Sequence, residues 1–185
     1  MSRLFIIAAP SGGGKTSLTR ALVENMDNLV ISVSHTTRPM RSGEKDGVNY
    51  HFVTAEKFQE LIQQNIFLEH AKVLGFGYDY GTSREWVMSQ LKQNKDVILE
   101  IDWQGAQQIR KLFKEAVSIF ILPPSMDILR KRLEERGQDS QDVIAKRMQA
   151  AKEECSHAPE FDYVITNDNF DVAVNDLKNI ILKYR

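Results

Sequence analysis

The residues with the clearest chemical potential lie near the N-terminus, where three glycines and a lysine follow an apolar run. The segment APSGGGKT spans residues 9–16, after LFIIA and before SLTRALVEN. Three successive glycines cost chain entropy, which indicates a backbone that must adopt or approach something only glycine permits. The spacing resembles GxxxxGK(S/T), in which N–H groups at a helix start converge on phosphates. Ala9 stands at the first glycine position, whereas Gly14, Lys15 and Thr16 fit the pattern.

This phosphate loop predicts phosphate binding, with Lys15 adding a point charge and the Thr16 hydroxyl placed to ligate Mg²⁺. The loop alone leaves GTPases, motor-type ATPases, helicases and small-molecule kinases open. The alternative is a flexible turn with a solvated lysine. A strand before the loop and a helix after it favour phosphate binding. The predicted ATP-binding residues of the loop are Ala9, Pro10, Ser11, Gly12, Gly13, Gly14, Lys15 and Thr16.

Composition limits the other partners. The chain of 185 residues suits one domain, and its formal charge of −1 gives no overall attraction to nucleic acid or lipid. Cys155 is the single cysteine, so no intrachain disulfide forms and we expect a reducing, cytoplasmic location. MSRLFIIAA has ingredients of a signal peptide, but its apolar run is short and leads straight into the glycine loop. We therefore expect neither a nucleic-acid nor a membrane partner, and leave a homo-oligomer open.

Short apolar runs alternate with amphipathic stretches along the chain, which predicts an α/β fold. The continuous apolarity of the runs indicates parallel strands that are covered on both faces, a doubly wound sheet. The predicted strands are 4–9, 29–34, 96–102, 118–124 and 163–167. The predicted helices in this rhythm are 15–25, 103–113, 125–137, 140–158 and 171–185, with Ser125 as an N-cap and Gly137 near a C-terminal stop.

Residues 35–95 break this rhythm and indicate an inserted subdomain that is rich in arginine and tyrosine. We expect strands at 49–53 and 67–73, helices at 54–65 and 83–94, and a loop at 74–82.

Several further motifs follow the phosphate loop in order: SVSHTTRPMRSGEKDGVNYHFV, FLEHAKV, YGTSRE, LEIDWQG, LPPS, RKRLEERG and AKRM. Together with the loop they resemble the guanylate kinase family over nearly the whole chain. The resemblance implies a P-loop kinase core, a GMP-binding subdomain at 35–83 and a helical lid at 125–147. The core would then comprise 1–34, 84–124 and 148–185.

The resemblance implies that Arg38, Arg41 and Tyr50 hold the GMP phosphate and that Tyr80 closes this site. Arginine suits this role because its planar fork matches phosphate oxygens, although both arginines also fit a charged surface loop. The stretch 74–82 looks about two residues longer than the family's usual form, which makes Tyr78 a rival to Tyr80.

For the base, the resemblance implies that Glu69 accepts from the guanine ring N–H and amino group, with Glu100 in support. Ser34 and Thr82 would donate to the guanine carbonyl. A carboxylate suits the donors on guanine's edge and repels the ring-nitrogen acceptor of adenine. The family usually has aspartate where Glu100 stands, so the contact of Glu100 with the amino group would shift by the length of a methylene or run through water. A solvent-facing strand residue is the alternative for Glu69.

For the transfer, the resemblance implies that the lid residues Arg132, Arg136 and Arg147 join Lys15 at the moving phosphoryl group. Ordinary helix-surface charge is their alternative. Asn167 would contact adenine or, alternatively, close a turn. Thr16 and Asp102 would hold Mg²⁺.

The implied activity is transfer of the γ-phosphoryl group from ATP to GMP, in purine nucleotide metabolism and GMP recycling. Two alternatives stay open. One is an interaction module of the same fold that has lost catalysis, and the other is a kinase for AMP or dGMP.

Overall fold

A computed structural model describes residues 2–73, 77–137 and 139–185. The helices are α1 (Lys15–Glu24), α2 (Ala55–Gln63), α3 (Arg84–Lys92), α4 (Trp103–Leu112), α5 (Met126–Glu135), α6 (Gln141–Ser156) and α7 (Phe170–Lys183). The strands are β1 (Leu4–Ala8), β2 (Leu29–Ile31), β3 (His35–Thr36), β4 (His51–Phe52), β5 (Phe67–Lys72), β6 (Asp79–Ser83), β7 (Asp96–Glu100), β8 (Val117–Leu122) and β9 (Tyr163–Thr166).

A five-stranded parallel sheet in the order β2-β7-β1-β8-β9 forms the centre of the fold. Both faces of β1 are buried, because Phe5 and Ile7 belong to one apolar cluster and Leu4 and Ile6 to the other. Helices α1 and α7 contribute to the first cluster, and α3 and α4 to the second. The doubly wound α/β prediction is thereby confirmed, with all five predicted core strands present.

A second, four-stranded sheet has the order β4-β3-β6-β5 and lies within the predicted insertion. The prediction of a loop at 74–82 was wrong at its C-terminal end, because residues 79–82 belong to β6, which pairs antiparallel with both β3 and β5. Sheet pairing overrides the weak strand propensity of DYGT, and Gly81 makes room for the Phe67 ring. The first part of that stretch, 74–76, lies outside the described residues.

Helix α5 and the first part of α6 form the predicted lid segment. Ser125 caps α5 by accepting from the Ile128 N–H at 3.2 Å, as predicted, and Gly137 follows the helix with a φ of 63°. The two helices share a separate apolar cluster that includes Leu129, Leu133 and Ile144. Helix α6 continues to Ser156, well beyond the predicted lid boundary at 147. Movement of this segment stays a prediction.

Within the described ranges, none of the helices combines the length and apolar character needed to traverse a lipid bilayer.

Candidate active site

The glycine loop joins β1 to α1 at the carboxyl end of the central sheet. Gly12 and Gly14 have φ of 89° and 91°, a left-handed conformation that side chains disfavour. The Gly13 N–H donates to the Pro10 carbonyl at 2.8 Å, which closes the turn. Gly14 is the N-cap of α1 and offers no side chain to the first N–H groups, so these remain available to an anion.

The Asn167 side chain holds this loop in place through a hydrogen bond to the loop backbone. Its side-chain amide donates to the Gly13 carbonyl at 3.0 Å, and the residue is only 5% exposed. The backbone carbonyl of Asn167 accepts from Arg132 Nη2 at 2.9 Å, and this second hydrogen bond connects Asn167 to α5. An Asn167 contact with adenine stays a prediction, since the amide already binds the loop backbone.

A cavity of about 830 Å³ opens between the glycine loop, the second sheet and the lid helices. Most of the predicted site residues line it: Ala9, Pro10, Ser11, Gly12, Gly14, Lys15, Thr16, Ser34, Arg38, Arg41, Tyr50, Glu69, Tyr80, Glu100, Asp102, Arg132, Arg136 and Arg147. Gly13, Thr82 and Asn167 are buried behind its wall. Tyr78 lines the cavity as well as Tyr80, so its position leaves both tyrosines as candidates.

Four arginines approach one another across this cavity. Burial, followed by the charges of Arg38 and Arg136, lowers the pKa of Arg41. Burial also lowers the pKa of Arg147. The charges of Arg41 and Arg136 lower it further, and the charge of Asp139 opposes them. Arg38 and Arg41 reach the cavity from the loop after β3, and Arg136 and Arg147 reach it from the lid segment. Mutually repelling cations in this arrangement favour a bound anion between them.

Two of these arginines are held by carboxylates. Arg38 Nη2 lies 2.7 Å from Glu44 Oε1, and the other Glu44 oxygen accepts from the Arg41 N–H at 2.8 Å. Arg147 pairs with Asp139, with Nε and Oδ2 3.0 Å apart. Arg38 also lies over the Tyr50 ring, 5.3 Å from its centroid. These contacts hold the guanidinium groups in place at the cavity wall.

Glu69 lies on β5 of the second sheet, where it lines the cavity and is only 3% exposed. Thr82 is its cross-strand neighbour on β6 and donates its hydroxyl to Glu69 Oε1 at 2.5 Å. Burial raises the pKa of Glu69 to about 7, against the effects of Thr82 and the Lys15 charge. A carboxylate with this little solvent is costly unless donors reach it, so the site is suited to a ligand that carries N–H groups.

Glu100 and Asp102 occupy different surroundings. Glu100 ends β7, and its carboxylate accepts from the hydroxyls of Thr16, at 3.2 Å, and Thr19. Asp102 is the N-cap of α4, where its two oxygens accept from the Gly105 N–H at 2.9 Å and the Gln104 amide at 3.0 Å. Glu100 is therefore the carboxylate that reaches the Thr16 hydroxyl. Its predicted contact with guanine and the predicted metal role of Asp102 stay predictions.

The comparison with known proteins decides the family. The guanylate kinase family model matches residues 1–184. The chain belongs to the guanylate kinase family. A guanylate kinase from Coxiella burnetii is 54% identical, over 97% of this chain and 86% of that relative. One from Hahella chejuensis is 57% identical, over 96% of this chain and 85% of that relative.

A solved guanylate kinase structure gives the same result for the fold. The crystal structure of guanylate kinase from Anaplasma phagocytophilum aligns with a TM-score of 0.82 at 35% identity. The alignment covers 98% of this chain and 85% of that one.

Sequence reasoning missed two acidic residues in this guanylate kinase site. Glu44 lies three residues after Arg41 in the loop that holds Arg38. Glu154 lines the cavity from α6, where burial and then Asp102 raise its pKa to about 7, opposed by Lys15. Its signal is the seven-residue interval after Arg147, because residues i and i+7 share one face of a helix.

Proposed function

We infer that this protein is a guanylate kinase that transfers the γ-phosphoryl group of ATP to GMP, giving ADP and GDP, in purine nucleotide metabolism and GMP recycling. The observation that carries the proposal is one cavity that is lined both by the phosphate loop and by the buried Glu69 carboxylate. The first suits a polyphosphate, and the second suits the donor edge of guanine.

At the ATP end, the N–H groups of the loop and of the first turn of α1 bind the phosphates. Lys15 is half-buried where α1 begins, and its charge acts on the carboxylates of both Glu69 and Glu154. Its position in the cavity lets it neutralise charge that develops on the transferred group.

At the GMP end, Arg38 and Arg41 bind the phosphate, with Tyr50 and Tyr80 beside it. The two tyrosine rings contact edge to face, with centroids 5.7 Å apart. Glu69 accepts from the guanine ring N–H and amino group, and Ser34, which lines the cavity, donates to the guanine carbonyl. The Thr82 hydroxyl already donates to Glu69 Oε1, so its predicted contact with the base stays a prediction. Adenine presents an acceptor where guanine presents the ring N–H, so it leaves the buried Glu69 carboxylate unpaired.

Between the two ends, catalysis depends on alignment and charge neutralisation. The GMP phosphate has a second pKa of about 6 and is mostly a dianion at neutral pH, so no general base is needed. Arg132, Arg136 and Arg147 surround the transferred group from the lid segment. Closure of that segment excludes water, which would otherwise accept the phosphoryl group.

The oxygen donors near the phosphate loop suit Mg²⁺. Within the described part of the chain, no cluster of three or more His, Cys, Asp and Glu side chains is arranged to hold a metal alone. The Thr16 hydroxyl and the Glu100 carboxylate lie together, and hard oxygen ligands are those that Mg²⁺ prefers when it also binds phosphates. We propose Thr16 and Glu100 as its protein partners. The predicted metal role of Asp102, whose oxygens accept from Gly105 and Gln104, stays a prediction. When bound, the ion neutralises phosphate charge.

We place the enzyme in the cytoplasm, because a lone thiol and two nucleotide substrates suit a reducing compartment.

A panel of acceptors tests the proposal. With ATP as donor, release of ADP is measured with GMP, dGMP, AMP and UMP. We expect kcat/KM for GMP to exceed that for AMP by about 10³ or more, because a wrong base leaves buried polar groups unpaired. dGMP carries the same base edge and should rank above AMP. Absence of GMP-dependent turnover would indicate an interaction module, and a preference for AMP would indicate a different kinase.

Replacing Asn167 with alanine separates two roles for this residue. Loss of the buried donor to the Gly13 carbonyl should lower the free energy of unfolding by about 1–3 kcal/mol. If Asn167 acts through the loop, KM rises by a similar factor for ATP and GTP as phosphoryl donors, because the loop contacts only phosphates. An increase confined to ATP would instead support an adenine contact. The measurements are urea unfolding and donor kinetics at saturating GMP.

A further inference from the structure

Gly105 lies in the first turn of α4, directly beside Glu69. A Cβ built on Gly105 would overlap Glu69 Oε2, and would come within 3.1 Å of Glu69 Cδ and 3.3 Å of Ile101 Cβ. Thr82 holds the other Glu69 oxygen. The carboxylate is thus confined between a donor on β6 and the bare backbone of α4.

The backbone itself does not require glycine at this position. Gly105 lies inside a regular helix, its φ is not positive, and its N–H donates to the Asp102 side chain. Alanine has the higher helix propensity, so glycine at this position makes the helix less stable than alanine would. The space that its missing side chain leaves is filled by Glu69, and this gives a physical reason for the glycine.

Helix α4 is also tied to β5, so the two cannot separate freely to admit a larger residue. The Gln108 amide donates to the His70 carbonyl at 2.8 Å and its oxygen accepts from the His70 N–H at 3.2 Å. Gln104 donates to the Lys72 carbonyl at 3.0 Å. Gln104 and Gln108 lie on either side of Gly105 in α4, and their bonds to His70 and Lys72 limit the separation of helix and strand next to Glu69.

We propose that Gly105 is a positioning residue for guanine selectivity, which leaves room for the Glu69 carboxylate to lie against α4 with its remaining acceptor sites directed at the base. The proposal rests on the proposed function in its use of GMP. A side chain at position 105 displaces the carboxylate toward the space that guanine occupies.

The test is Gly105→Ala, with steady-state kinetics in both substrates. We expect KM for GMP to rise by about 10- to 100-fold, since a hydrogen-bonded carboxylate has been moved, while KM for ATP changes by less than about twofold. Lys111→Ala, in the last turn of α4 and exposed, is the control for alanine substitution in this helix and should leave both KM values unchanged.

Glu69→Asp supplies the second arm. Aspartate is one methylene shorter, so its carboxylate withdraws from Gly105 and leaves space for a Cβ. Glu69→Asp alone should raise KM for GMP, but adding Gly105→Ala to it should raise KM by less than about twofold more. The same four proteins, unfolded in urea, should show this non-additivity in the free energy of unfolding.

Equal effects of Gly105→Ala in the wild-type chain and in the Glu69→Asp variant would overturn the proposal, as would an unchanged KM for GMP or a parallel rise in KM for ATP. The unfolding cycle does not depend on activity. If the wild-type chain showed no GMP-dependent turnover, the proposed function would fail, and coupling in the cycle would still establish that Gly105 makes room for Glu69. Additive unfolding energies would overturn that packing as well.

Discussion

Replacing Lys15 with alanine is expected to lower kcat by about 10³-fold or more, because charge on the transferred phosphoryl group loses the cation at the phosphate loop. GMP binding should be largely retained. We assign Arg38 and Arg41 to the GMP phosphate. Glu44 accepts from the Arg38 guanidinium and from the Arg41 backbone N–H, and neither contact involves the lysine. The effect should therefore appear in kcat and leave the dissociation constant of GMP little changed.

The measurement is ADP release at saturating substrates, with calorimetric titration of GMP into both proteins. Titration is done at pH 8, because loss of the Lys15 charge lets the pKa of Glu69 rise further and affects binding at lower pH. Lys92→Ala is the matched control, an exposed lysine at the end of α3. Near-normal turnover of Lys15→Ala would refute the role assigned to the lysine.

The central sheet was predictable because its inner strands are mostly buried on both faces and are therefore rich in consecutive apolar residues. Leu4–Ala8 and Val117–Leu122 are examples, and no competing helix pattern fits five or six such residues. The strand β6 was not predictable in this way. Its sequence DYGTS has little apolar content, and it is a strand only because β3 and β5 lie on either side of it.

The phosphate loop is a local motif with its own chemistry, and Thr16, which the motif names, lines the cavity. Arg38 was assigned through the resemblance to the guanylate kinase family, and it lines the same cavity. Which carboxylate faces which partner was not predictable. Glu100 and Asp102 are two residues apart, but the strand ends between them, so Glu100 meets Thr16 and Asp102 caps α4.

The interval between Glu69 and Gly105 shows a further limit of sequence patterns. The two residues are 36 positions apart, and a glycine within a helix carries no motif of its own. The reason for a glycine at position 105 becomes visible only in the packing of α4 on β5, where Glu69 occupies the space that a side chain would need. Contacts of this kind depend on tertiary distance, which spacing along the chain does not encode.

Replacing Glu69 with glutamine is expected to lower kcat/KM for GMP by about 10² to 10⁴, while KM for ATP stays within about twofold of wild type. The glutamine oxygen keeps the Thr82 hydroxyl as donor, so the fold is retained. Its NH₂ group, however, faces donors on guanine and leaves them unpaired. Acceptor and donor titrations on the two proteins, each at saturating partner, measure the difference. Unchanged GMP kinetics would remove this account of base choice.

The pH dependence of GMP binding provides an independent test of the same residue. Because the pKa of Glu69 is raised to about 7, most molecules without GMP carry a protonated Glu69 at pH 6, whereas guanine binding requires the ionised carboxylate. The dissociation constant for GMP should therefore fall as the pH rises from about 6 to 8. In Glu69→Gln the GMP phosphate, with its pKa of about 6, and Glu154, whose pKa is also raised to about 7, still titrate. The part of the slope that Glu69 contributes should vanish, so the slope should be smaller than in the wild type.

The same proton has an opposite consequence for stability. A carboxyl whose pKa is higher in the folded state than its ordinary 4.5 binds its proton more tightly when folded. The tighter proton binding contributes to the free energy of unfolding. This contribution is fully present below the pKa of the unfolded chain and is lost as the pH rises through about 7. Glu69→Gln carries no such penalty, so its free energy of unfolding should exceed that of the wild type at pH 8 and approach it at pH 5. A wild-type advantage at pH 8 would show that Glu69 is ionised and well paired even without GMP, and would contradict the burial argument on which both pH expectations rest.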